Sequence, residues 1–188
     1  MPPDEDSELL AALRDDDADV RRGAEHALFL RFREPVERLM GRLLGADHDD
    51  CLQEVFVDVF RGVRSFEGHS LLSTWVYRVA LRRGWKCAAA RRRQQRGRED
   101  GERLIEQAPA RDGASDVPAQ LEAEELARRF GEALQRLDLD QRTVLALTAL
   151  DGLGPAEISD ILGAPVGTVH SRLSRARARV RELLGLTH

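Results

Sequence analysis

The chain is poor in cysteine: Cys51 and Cys87 are its whole complement among 188 residues. Two thiols at that separation make neither a disulfide framework nor a metal site by spacing, so the sequence predicts a pair of reduced thiols. The five histidines are scattered without ligand spacing, and no bound metal is expected. There is no P-loop and no nucleophile–base constellation, so neither a cofactor nor an enzyme activity is expected. No apolar run reaches the length of a membrane span. The opening stretch MPPDEDSELLAALRDDDAD is acidic and unlike a signal peptide. These absences predict a cytoplasmic chain that inserts in no membrane. Aromatic residues are also few, at 5%, while charged residues reach 33%. That mixture suits small helical bundles better than a β-rich body.

What the chain does have is charge sorted along its length. The formal net charge is −4, but the distribution says more than the sum. Residues 1–20 carry eight acids and one arginine, whereas Arg78–Arg98 carries nine bases and no acid. Residues 99–125 return to nine acids against two arginines, and from Pro165 onward five arginines face Glu182 alone. Two basic patches separated by an acidic segment suggest two surfaces for a polyanion. The acidic N-terminus is expected either to be disordered or to screen those patches.

Nearly everything reads as helix, with no period-2 segment of strand length and no internal repeat. In DDCLQEVFVDVFRGV, Leu52, Val55, Phe56, Val59, Phe60 and Val63 form one apolar stripe. Asp50, Glu54, Asp58 and Arg61 lie opposite. Pro35 is expected to kink or restart its helix. From about residue 96 to residue 120 the chain is rich in Gly, Pro, Ala and acids, which reads as a linker. The expected organisation is all-α: two small helical domains, 1–95 and 121–188, joined by a flexible acidic tether.

PAEISDILGAPVGTVHSRL reads as a helix-turn-helix. Gly163 suits a left-handed C-cap, and Pro165 suits the first turn of the next helix. Projected at about 100° per residue, Val169, Leu173, Ala176 and Val180 fall in an apolar wedge that must pack inward. Gly167, Ser171, Ser174, Arg175 and Ala178 lie opposite, with Thr168 nearby. Arg172 and Arg179 take one shoulder, His170 and Arg177 the other. Small residues at the centre allow close approach to base edges, and shoulder arginines can reach phosphates on both groove walls. Few acids stand in register to pair with them, which disfavours a merely solvated charged helix.

STWVYRVALRRGWKCAAARRRQQR interleaves aromatics with bases. Trp75, Arg78, Arg82, Trp85 and Lys86 share one face, the arrangement a splayed single strand needs for stacking and charge. Trp75 reads equally well as a core aromatic. Arg83 falls on the apolar side, and Gly84 hints at a kink, at a cost of about 1 kcal/mol in a helix.

On these segments the chain resembles the extracytoplasmic-function (ECF) sigma factors of bacterial RNA polymerase, over nearly its full length. Asp50, Gln53, Glu54, Val55 and Phe56 are similar to the family's region 2.2 pattern. STWVYRVA is similar to regions 2.3–2.4, and Val166–Arg177 to the most specific part of region 4. The resemblance implies that Asp50, Gln53, Glu54, Phe56 and Asp58 dock the β′ clamp helices of core polymerase, with a further contact at the β flap. It implies that the loop FEGHSLLS and Trp75, Tyr77, Arg78, Arg82, Trp85 and Lys86 open and read the −10 element. Thr168, His170, Ser171, Arg172, Ser174, Arg175 and Arg177 would read the −35 duplex. The acidic tether would lie in the RNA path, and an anti-sigma factor would hold the protein inactive. Arg82 and Lys86 stand where the family often has an asparagine and an aspartate, and His170 where it often has a lysine. Other classes compatible with a helix-turn-helix and basic patches are a two-component activator's DNA-binding half, an enzyme acting on nucleic acid and a helical scaffold.

Overall fold

The computed structural model describes residues 3–46, 48–99, 118–150 and 153–186. Eight helices and no strand occur among them: α1 (Pro3–Leu13), α2 (Ala18–Leu44), α3 (Asp49–Val63), α4 (Leu72–Glu99), α5 (Pro118–Gln135), α6 (Leu139–Thr148), α7 (Pro155–Leu162) and α8 (Val166–Leu183). Most of the linker expected at 96–120 lies outside the described residues; α4 continues through its first positions and α5 begins within its last ones.

The first four helices assemble on the stripes legible in sequence. Leu28, Val36, Leu39 and Met40 of α2 meet Val55 and Val59 of α3 and Val76 and Ala80 of α4 in one buried cluster. Each large apolar side chain taken from water there stabilises the bundle by about 1.5–3 kcal/mol. Asp17 caps α2 by accepting the Asp19 N–H at 2.7 Å, which satisfies one of the helix's orphan donors.

Three expectations are corrected here. Pro35 does not restart α2, which runs through it. The lost backbone bond is outweighed by the burial of Phe32, Val36, Leu39 and Met40 around it. α4 runs on through Gly84. This glycine lets α4 close on α2, because a Cβ at that position would lie 3.2 Å from the Met40 methyl. The acidic N-terminus is neither disordered through α1 nor laid over the basic patches. It forms α1, packs against α2, buries Leu13 and pairs Asp6 with Arg31 at 2.6 Å. Cys51 and Cys87 are not two separate thiols. They are joined in a disulfide between α3 and α4, with Cα atoms 6.5 Å apart, inside the span such a bridge requires. Antiparallel packing of the two helices brings them together, which separation in sequence could not reveal.

The last four helices form a second group. Asp138 caps α6 by accepting the Gln141 N–H at 2.8 Å. Pro155 opens α7, with the Gly154 N–H donating to the Glu157 carboxylate at 2.8 Å. The two groups share one core: Val144 and Leu147 of α6, Ile158 and Ile161 of α7 and Val169 of α8 are buried in the same cluster as the α2–α4 residues. At the junction lies a buried cation, Arg142. Its guanidinium donates to the Leu43 carbonyl at 2.8 Å, the Leu137 carbonyl at 3.1 Å and the Gln135 side-chain oxygen at 2.6 Å. Burial pushes its pKa down, and the carbonyl oxygens stand in for the water it has lost.

Candidate nucleic-acid interface

The turn between α7 and α8 is set by Gly163, whose φ of 62° lies in the left-handed region where a side chain would be strained. Pro165 sits one position before the first helical residue of α8, rather than inside its first turn. The Ser159 hydroxyl donates to the Ala164 carbonyl at 2.6 Å and ties the turn to α7. The angle at which α8 leaves α7 is thereby fixed.

α8 packs as its periodicity requires. Val169, Ala176 and Val180 are buried, and Leu173 is half-buried. Gly167, His170, Ser171, Ser174, Arg175, Arg177 and Ala178 are exposed, with Thr168 half-buried at the edge. Small residues therefore floor an open face flanked by Arg175 and Arg177, neither of which forms an ion pair with a described residue. Arg172 differs. It is half-buried and paired with Asp140 at the start of α6, at 2.6 Å. The scarcity of acids within the α8 stretch did not foretell this pair, because the partner arrives from another helix. Arg179 pairs with Glu182 at 2.7 Å.

On α3, Asp50, Gln53 and Glu54 are exposed, and Asp58 is half-buried on the same side. Phe56 is not on that face. It is buried, with its ring 4.8 Å from that of Phe29, and presents nothing to a partner. Arg83, out of place on an apolar stripe, reaches across from α4 to Asp58 at 2.5 Å and to Glu54 at 3.0 Å. The Asp58 bond raises the arginine's pKa. Two of the four polar residues Asp50, Gln53, Glu54 and Asp58 are thus partly neutralised from within the fold.

The aromatic and basic face of α4 splits three ways. Tyr77 is core, with its ring 6.5 Å from that of Phe32 and its hydroxyl pKa pushed up by burial. Its side chain is therefore not on the exposed face of α4 in this structure. Trp75 is half-buried, packed with its ring tilted 53° to that of Phe66 at a centroid distance of 5.6 Å and pressed on Gly62, where a Cβ would lie only 3.0 Å from the indole. Of its two readings, packing is the one the structure displays. Arg82 and Lys86 are exposed. Arg78 and Trp85 are engaged by the second helical group. Arg78 donates to the Asp160 carbonyl at 2.6 Å, and the Trp85 indole N–H donates to the Thr143 hydroxyl at 3.1 Å. Thr143, Asp140 and Asp160 carried no signal in sequence, since their roles exist only across elements. Arg142 carried a weak one, as a lone cation directly before the apolar run TVLALTAL.

No group of His, Cys, Asp and Glu able to hold a metal occurs among the described residues. No described helix is long and apolar enough to cross a membrane.

Known proteins share this arrangement. The family model described as Sigma-70 region 2 matches residues 28–97, and that described as Sigma-70, region 4 matches residues 127–180. The RNA polymerase sigma-H factor of Pseudomonas aeruginosa is 30% identical over 174 residues, covering 88% of this chain and 90% of that protein. The ECF RNA polymerase sigma-E factor of Haemophilus influenzae is 32% identical over 170 residues, covering 86% and 89%. Among solved structures, the sigma factor RpoE in complex with the anti-sigma factor NepR from Bartonella quintana superposes with a TM-score of 0.59 at 24% identity, covering 86% of this chain and 99% of that one.

Proposed function

Because the chain belongs to the ECF group of sigma-70 factors, we propose that α8 reads the −35 duplex through Ser171, Ser174, Arg175 and Arg177. In the same reading the α3 face of Asp50, Gln53, Glu54 and Asp58 docks the basic clamp helices of core polymerase. The single observation that carries the reading is the open face of α8. A flat row of small side chains between two arginines without ion pairs fits the floor and walls of a major groove. Arg172 joins only when it exchanges Asp140 for a phosphate.

The −10 role falls to Arg82 and Lys86 at once, and to Arg78 and Trp85 after the two helical groups part. Stacking of a base on Trp85 is worth about 1–3 kcal/mol, comparable with unstacking one base step. Polymerase binding supplies the separation, because α3 and α8 must then meet surfaces far apart on a larger body. An anti-sigma factor, the kind of partner in the RpoE complex, would act by occupying α3 or by holding the groups together. The chain acts as a specificity subunit in the cytoplasm and carries no catalytic centre of its own.

Run-off transcription with bacterial core polymerase and a promoter library tests this. Core-dependent initiation from one motif family, lost in Arg175→Ala/Arg177→Ala, is expected. DNA binding without core and no initiation with it would make the chain a conventional helix-turn-helix regulator.

A further inference from the structure

The seam between α3 and α4 carries three links in register. Gly62 and Trp75 meet at one end. Arg83 bridges Glu54 and Asp58 in the middle. The Cys51–Cys87 disulfide closes the other end. The two ends are not equally anchored. Before Gly84, α4 buries Leu72, Val76, Tyr77, Val79, Ala80 and Leu81; after it, among the described side chains, only Ala88 is buried. The distal half of α4 is therefore held by few contacts. Trp85 bonds Thr143, the Arg91 guanidinium donates to the Leu44 carbonyl at 2.8 Å, and Cys87 is bound to Cys51. The disulfide alone among these three reaches α3.

We propose that Cys51–Cys87 is a redox-controlled staple that fixes residues 85–93 of α4 against α3 when oxidised and releases them when reduced. The two sulfurs are suited to exchange in sequence. Cys87 is half-buried and Cys51 nearly inaccessible, at 3% exposure. Lys86 and Arg91 stand beside Cys87 along α4, while Arg83 is already paired with Asp58 and Glu54. The Cys87 thiolate attacks one sulfur of a low-molecular-weight disulfide such as oxidised glutathione. A protein–glutathione disulfide forms and one glutathione thiolate leaves. Cys51 then attacks the Cys87 sulfur and expels the second. Two protein thiols and one oxidised glutathione become one protein disulfide and two glutathione thiols; the protein loses two electrons and the oxidant gains them. Reduction runs the same steps backward.

The consequence lies in what the stapled segment carries. Trp85 and Lys86 belong to the surface assigned above to the −10 element, and this consequence, unlike the staple itself, rests on that reading. Release weakens the hold on Trp85 by loosening the helix that presents it.

The full chain is equilibrated in mixtures of reduced and oxidised glutathione. Free thiols are then trapped by alkylation and counted by mass, and amide exchange is followed in the same samples. Both thiols should disappear together as the oxidised fraction rises, without a retained glutathione adduct. Amides of residues 85–93 should exchange about tenfold or more faster in the reduced protein, while α7 and α8 stay unchanged. Cys51→Ser/Cys87→Ser should exchange like the reduced protein in every mixture. Thiols that remain free throughout, an adduct that persists on Cys87, or equal protection of residues 85–93 in both states would each overturn the staple. In parallel, run-off transcription separates the two readings: a working staple without core-dependent initiation removes the promoter assignment and leaves the staple standing.

Discussion

α4 and α8 are both arginine-rich helices proposed to face DNA, yet the fold treats them in opposite ways. α8 spends one narrow wedge on packing and leaves open the face of Gly167, Ser171, Ser174, Arg175 and Ala178. α4 is packed from several sides: Tyr77 enters the core, Trp75 presses on Gly62, and Arg78 and Trp85 are bonded by α7 and α6. A duplex can be read by a rigid helix that is already exposed, because B-form DNA offers its groove without being opened. A melted strand exists only late, and a surface for it can stay covered until then. The covered and open states of the two helices follow the order in which their substrates become available.

That contrast can be broken most forcefully at the shared core. Leu147→Ala should cost about 2–5 kcal/mol and lower the thermal midpoint, because Leu147 is fully buried between the groups. It should also raise single-strand binding by α4 without changing duplex binding by α8. Arg142→Met should cost on the order of 2–4 kcal/mol, since four main-chain or amide oxygens lose a charged donor in a dry junction. Small-angle scattering should then show the two groups apart in the absence of any partner.

Sharpening the contrast takes gentler changes. Arg175→Ala should weaken duplex binding by about 1–3 kcal/mol if the guanidinium reads a base edge. If it contacts phosphate instead, the salt slope of binding should fall by about one; titrations at several salt concentrations tell the two apart. The smallest effect belongs to Asp140→Asn. The lost ion pair is partly solvent-exposed and worth about 0.2–1 kcal/mol. Released, Arg172 should strengthen duplex binding by a similar amount, and an unchanged affinity would show that Arg172 never reaches the DNA.

Local signals were legible in the sequence, and contacts between distant elements were not. The left-handed Gly163 and the apolar wedge of α8 are properties of one short stretch, and the structure places both as read, while Pro165 stands one position earlier than expected, at the N-cap of α8. Phe56 and Tyr77 were misplaced because a motif gives a residue's neighbours in sequence, while its depth depends on a second helix bringing Phe29 or Phe32 against it. Arg83 looked like an error of pattern until Asp58 and Glu54 arrived from α3. Pro35 obeyed a local rule that tertiary burial overrode. The cover over α4 was invisible for the same reason: Thr143 and the Asp160 carbonyl become partners only when α6 and α7 pack on α2 and α4.

Arg142 bears on how the two interfaces respond to ionic strength. It binds carbonyl oxygens rather than a carboxylate, and it does so out of reach of dissolved ions. Salt that screens arginine from phosphate therefore leaves this contact almost untouched. Raising the salt should strip promoter DNA from α8 long before it parts the two helical groups, so the protein would let go of its target while keeping its closed shape.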